Sequence, residues 1–73
     1  MMHTIDTNSL RNHILHQLGQ GATALDAARN WMAAHGIDVD ISPADVEPWM
    51  PVHPRTTIAQ AVADACTAMA TAA

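Results

Sequence analysis

The chain has few of the residues on which several common kinds of protein depend. It has no phenylalanine, tyrosine or lysine, and it has two tryptophans and one cysteine among 73 residues. The single cysteine, Cys66, excludes an internal disulfide, which fits a reducing compartment. No apolar run reaches the roughly 20 residues of a membrane-spanning helix. The first residues have neither the basic nor the apolar part of a secretory signal, so we expect a cytoplasmic protein.

Positive charge is also scarce. Three arginines stand against seven carboxylates, which gives a formal net charge of −4 with neutral histidines. Proteins that bind nucleic acid usually need several cations to neutralise the phosphates, so the charge balance argues against that class of partner. The five histidines would raise the net charge at mildly acidic pH.

The apolar residues that are present favour helices. They make up 49% of the chain, and fifteen of them are alanine, the strongest helix former. An alanine-rich composition with only two aromatic residues suits strands poorly. We expect one domain spanning residues 1–73, at a size where a single core leaves stability marginal and oligomerisation often helps.

Capping residues and glycines predict where the helices begin and end. The first helix begins within residues 6–8, all good N-caps, and ends at Leu18 before a glycine-containing turn. The second begins after Thr23 and ends in a Schellman turn with Gly36 in the left-handed position. A short helix follows Ser42. With the C-terminal helix, this predicts an all-α bundle of three main helices plus one short helix. The predicted core comprises Leu10, Ile14, Leu18, Leu25, Ala28, Met32, Val46, Ile58, Val62 and Met69.

Residues 37–41 alternate apolar and acidic side chains, which is the period of an extended chain with one buried face. We expect an extended segment that packs Ile37, Val39 and Ile41 onto the helices rather than a paired strand, because the chain offers no obvious partner strand apart from the few residues around Ile5. The acidic residues also match the start of a calcium-binding loop. Pro43, however, occupies the position at which that loop needs glycine.

Prolines at positions 48, 51 and 54 recur at every third residue, the period of a polyproline II helix. Pro48 is expected to end the short helix. One interpretation of the spacing is a ligand for an SH3 domain. We favour a stiff connector in which Trp49 and Met50 pack onto the bundle; an exposed Trp49 would instead be a candidate interface anchor.

The last helix, which follows Thr57, is apolar around most of its circumference. Its polar residues recur three and four positions apart and so form one narrow stripe, which predicts burial on more than one side. We expect a heptad-like seam to pack on the first two helices, and the opposite side to be available to a protein partner or to a second copy in a homodimer. The seam comprises Ile58, Val62, Ala65, Met69 and Ala72. The predicted interface comprises Ala59, Ala63, Cys66 and Ala70, with Trp49 as a further candidate.

No set of residues in the sequence combines a nucleophile, a base and an orienting group, so we predict neither an enzyme nor a cofactor. His13 and His16 lie three positions apart on one face of the first helix and are weak candidates for metal ligands. A zinc site would need further ligands from elsewhere. Cys66 has no adjacent cation and is predicted to be a small core residue.

The sequence thus predicts a non-enzymatic protein–protein interaction module, a small regulator or inhibitor that acts by docking. One alternative is a helix-turn-helix transcription regulator or an antitoxin-like protein, since a short turn joins the first two helices. Against base recognition, the second helix places Asp26 beside Arg29 and Asn30 on its outer face. The second alternative is a metal-binding protein that uses His13 and His16.

Overall fold

The computed structural model describes residues 5–51 and 57–72, and its helices follow the predicted order. The elements are α1 (Thr7–Leu18), α2 (Ala24–Ala34), α3 (Pro43–Val46), a 3₁₀ helix (Glu47–Trp49) and α4 (Ile58–Ala72). The described ranges contain no strand, so the all-α prediction of three main helices plus one short helix is confirmed. Within the same ranges, no helix is both long enough and apolar enough to cross a membrane.

The first turns of α1 and α2 are held by the predicted capping side chains. The carboxylate of Asp6 accepts hydrogen bonds from the backbone N–H of Ser9 at 3.2 Å and from its hydroxyl at 3.0 Å. These bonds favour the charged form, so the pKa of Asp6 lies below its ordinary value. The hydroxyl of Thr23 accepts from the N–H of Asp26 at 3.1 Å. Each cap satisfies an N–H group that has no partner within its helix.

Both α1 and α2 end in Schellman turns. After α2, Gly36 has a φ of +70° and the N–H of Ile37 donates to the carbonyl of Met32 at 2.8 Å, as the sequence predicts. After α1, the left-handed residue is Gly21, with a φ of +95°, whereas Gly19 keeps a right-handed φ of −64°. The glycine-containing turn after Leu18 is therefore confirmed, with the left-handed conformation at its last residue.

Two side-chain hydrogen bonds show how α1 lies against α4. Thr7 Oγ1 is 2.7 Å from Thr67 Oγ1, and Arg11 Nη1 donates to Gln60 Oε1 at 3.1 Å. Because the residue numbers rise along α1 while they fall along α4, the two helices are antiparallel. The helix α2 packs on both α1 and α4, and α3 with the 3₁₀ helix also lies against α4.

The core follows the predicted set with one exception. Six predicted residues are buried: Leu10, Ile14, Ala28, Met32, Val46 and Val62. Three are half-buried against the core: Leu18, Leu25 and Met69. The exception is Ile58, which is 48% exposed. The prediction was wrong there because Ile58 begins α4 at the edge of an open groove. Ile5, Trp31 and the extended segment also belong to the apolar cluster, together with several alanines and Cys66.

The extended segment packs as predicted. Ile37 and Ile41 are buried and Val39 is half-buried, while Asp38 and Asp40 are exposed. This alternation means that successive side chains point to opposite faces of the segment, one facing the helices and the other facing water.

The proline-containing segment after α3 differs from the polyproline II prediction. Pro48 lies inside the 3₁₀ helix, and Met50 has right-handed helical angles, a φ of −62° and a ψ of −43°. Proline fits the first turn of a helix because its φ is already near −65° and its missing N–H needs no partner there. Trp49 is half-buried against the core, as predicted, whereas Met50 is 42% exposed. Residues 52–54 of the proline-spaced segment lie outside the described residues.

Candidate protein-docking groove

The side of α4 that the sequence predicts for a partner is instead buried within the chain. The residues of this side, each 0% or 1% exposed, are Ala59, Ala63, Cys66 and Ala70. The prediction of an open face was wrong because α1, α2, α3 and the 3₁₀ helix together cover α4 on several sides. Small side chains permit this close approach, and a homodimer through this side would require α4 to leave its own core. Burial on more than one side, in contrast, is confirmed.

The thiol of Cys66 is part of this buried side. Burial raises its pKa from 9.0 to about 12, because desolvation disfavours the thiolate. The thiolate is the form that reacts with electrophiles and binds metals, so this cysteine is a small apolar core residue, as predicted.

The raised pKa of Cys66 predicts a loss of stability at alkaline pH. In the unfolded chain the thiol loses its proton above about pH 9, while in the folded chain it keeps the proton up to about pH 12. The unfolded state binds fewer protons in that window, so the free energy of unfolding falls as the pH rises. Lysine and tyrosine, which would also titrate there, are absent. Urea unfolding at pH 8 and pH 10.5 should show this fall in the wild type and not in Cys66→Ala; equal pH dependence in both would contradict it.

An apolar groove lies between the start of α2, the short helices and the start of α4. Its volume is about 270 Å³. We call it the apolar groove. It is lined by Leu25, Pro43, Val46, Glu47, Met50, Ile58 and Val62. Val62 is fully buried, whereas Met50 is 42% exposed and Ile58 is 48% exposed. Two apolar side chains of the groove are thus open to solvent beside a buried apolar residue.

Local sequence signals position the short helices that form one wall of the groove. The backbone N–H and the hydroxyl of Ser42 both donate to the carboxylate of Asp45 at 2.9 Å. Pro43 occupies the first position of α3, where it is compatible with the helix. The chain then continues into the 3₁₀ helix, which brings Met50 to the groove. The opposite wall is the first two turns of α4.

The electrostatics of the groove are simple. Among the residues that the structure describes, Glu47 is the only charged one that lines the groove, and this carboxylate is exposed. The ion pairs in the described part of the chain join Arg29 to Asp26 at 3.7 Å and to Asp40 at 3.9 Å, and neither involves Glu47. The described lining of the groove therefore presents one negative charge at the edge of an apolar surface.

The groove differs from a typical small-molecule site. Small-molecule sites usually have volumes of about 300–1,000 Å³ and several convergent polar groups, whereas this groove is smaller and has one carboxylate. It is therefore smaller and less polar than a typical small-molecule site. Comparison of the chain with protein-family models, with curated proteins and with solved structures finds no match in any of the three.

The two histidines proposed as metal ligands do not meet a third ligand in the described part of the chain. His16 is exposed, and its Nε2 is 3.0 Å from Nε2 of Gln20. His13 is half-buried, and its Nε2 is enclosed without a hydrogen-bond partner among the described residues. Across those residues, no group of three or more histidine, cysteine, aspartate or glutamate side chains is arranged to hold a metal ion.

The arginine that a helix-turn-helix protein would use on α2 is engaged within the chain. Arg29 donates from Nη2 to the carbonyl of Ile41 at 2.6 Å and from Nε at 3.2 Å. The carboxylates of Asp26 and Asp40 lie within 4 Å of the same guanidinium. This cation fixes the extended segment to α2 and is partly compensated by both carboxylates, which reduces its availability for phosphates. DNA binding stays an untested prediction.

Proposed function

We propose that the chain is a non-enzymatic, cytoplasmic interaction module that regulates a protein partner by docking, and that the apolar groove is its docking site. The observation that carries this proposal is the exposure of Met50 and Ile58 on one concave surface. Exposed apolar side chains that cluster in a groove are typical of interaction sites, whereas isolated ones are ordinary surface features. Within the described ranges, the remaining exposed large apolar residue is Leu15, which lies on α1 and does not line the groove.

The groove favours a partner segment with an apolar anchor and a basic residue beside it. The anchor would lie between Met50 and Ile58, above the buried Val62, and the basic residue would face the carboxylate of Glu47. The net charge of −4 supports a cationic partner, because a field of one sign attracts the opposite charge and repels the same charge.

Site-specific crosslinking tests this proposal in the native host. A photoreactive amino acid placed at Met50 or at Ile58 should crosslink the same protein, and the same group at Leu15 should not. Leu15 is a matched control because it is 42% exposed, as Met50 is. With the captured partner purified, Ile58→Asp should weaken binding at least about tenfold, since an interface anchor contributes more than about 1.4 kcal/mol, and Leu15→Asp should leave it unchanged.

Three outcomes would overturn the proposal. One is equal crosslinking from all three positions, which indicates nonspecific contact. Another is unchanged affinity in Ile58→Asp. The last is a molecular mass that rises with concentration in sedimentation and that Ile58→Asp returns to the monomer value, because the occupant of the groove would then be a second copy of the chain.

A further inference from the structure

The extended segment at residues 37–41 has one backbone edge that is attached to α2. In an extended chain, the N–H and C=O groups of one residue point to one edge and those of the next residue point to the other edge. The N–H of Ile37 donates to the carbonyl of Met32 at 2.8 Å. The carbonyl of Ile41 accepts from Arg29 at 2.6 Å and 3.2 Å. Both bonds belong to the edge of residues 37, 39 and 41, so α2 occupies that edge at both ends.

The opposite edge has no partner among the residues that the structure describes. It consists of the N–H and C=O groups of Asp38 and Asp40, none of which hydrogen-bonds to any residue that the structure describes. Both residues are exposed, so the edge lies at the surface of the described part of the chain. An extended chain that has one face packed on helices and one open edge is a template for a further strand.

We propose that this edge binds an extended protein segment by strand addition, and that the segment has basic residues at alternate positions. In antiparallel pairing, Asp38 and Asp40 would each exchange two hydrogen bonds with the residue opposite, giving four backbone bonds. The side chains opposite lie on the same face as the two carboxylates, which favours lysine or arginine there. In the bound segment, the residue between the two basic residues would lie opposite Val39 and face the helices. An apolar side chain is therefore favoured at that position.

The charges of the edge also select against a second copy of this chain. In a self-paired edge, aspartates would lie directly opposite aspartates, and like charges in that position are destabilising. Asp40 already has Arg29 at 3.9 Å, whereas Asp38 has no ion pair within the described part of the chain. The basic residue opposite Asp38 should therefore contribute more to the affinity than the one opposite Asp40. This binding mode is independent of the apolar groove, since neither Ile58 nor Glu47 takes part.

The test uses an end-blocked peptide, Thr-Lys-Val-Lys-Thr, titrated to millimolar concentration into the full chain and followed by NMR. Hydrogen exchange at the amides of Asp38 and Asp40 should slow on binding. The variant with Asp38→Asn and Asp40→Asn should bind about tenfold more weakly, since each cross-strand charge pair contributes up to a few-fold in affinity. Glu47→Gln, which changes an exposed carboxylate in the groove, should bind as the wild type does.

A second peptide separates backbone pairing from simple charge attraction. It has the same sequence, but the backbone amide nitrogen of each lysine is methylated. The peptide therefore keeps its side-chain charges and loses the two N–H groups that would donate to the carbonyls of Asp38 and Asp40. This peptide should lose binding. The proposal is overturned if the methylated peptide binds as well as the first, if the first gives no protection at millimolar concentration, or if Glu47→Gln weakens binding as much as the double variant.

Discussion

Replacing Ala63 with glutamate should unfold the chain. Ala63 is 0% exposed in α4, inside the contact of that helix with the rest of the bundle. A carboxylate placed there loses its hydration, and the effective penalty for burying an unpaired ion is several kcal/mol. Native domains have only about 5–15 kcal/mol of stability, and a domain of this size is at the low end. Circular dichroism at 25 °C should show most of the helical signal lost.

Ala33→Glu is the matched control for this prediction. Ala33 is also a helical alanine, in α2, but it is exposed, so the same substitution should change stability by less than about 0.5 kcal/mol. A folded and helical Ala63→Glu protein would contradict the buried position of this residue. With that result, the side of α4 that contains Ala63 would again be a candidate interface with a partner or with a second copy of the chain.

The ends of the helices could be predicted from the sequence because their causes are local. Thr23 needs only the N–H three residues later, and Gly36 needs only the carbonyls of the preceding turn. The alternation of residues 37–41 is equally local, and it correctly predicted which of their side chains face the helices. These interactions lie within a few residues along the chain, so the sequence pattern contains both partners.

The partner of α4 could not be predicted in the same way. The narrow polar stripe shows how much of a helix circumference is buried, and the structure confirms that amount. It does not show which surface covers each side, since alanine packs as well against a neighbouring helix of the same chain as against another protein. Ala59 and Ala70 therefore fit a dimer interface and an internal core equally well by sequence, and only the path of the chain decides between them.

The apolar groove was missed for a related reason. Its walls come from α2, the short helices and α4, which are distant in sequence, and no local motif indicates that they leave a gap. Ile58 continues the apolar seam of α4 and so reads as a core residue. Met50 was expected to pack down from a polyproline II segment. The 3₁₀ helix that contains Pro48 instead leaves Met50 partly in solvent.

Replacing Ile41 with alanine should destabilise the chain by about 2–5 kcal/mol, the usual cost of removing a large buried aliphatic side chain. Ile41 is 0% exposed, and the hydrogen bonds from Arg29 to its carbonyl hold it over α2, so the space cannot easily close. For a domain of this size, the melting temperature should fall by roughly 8–40 °C. Val39→Ala is the control within the same segment, and it should cost much less because Val39 is only half-buried. Thermal unfolding followed by circular dichroism measures both, and equal effects would mean that the segment is not anchored through Ile41.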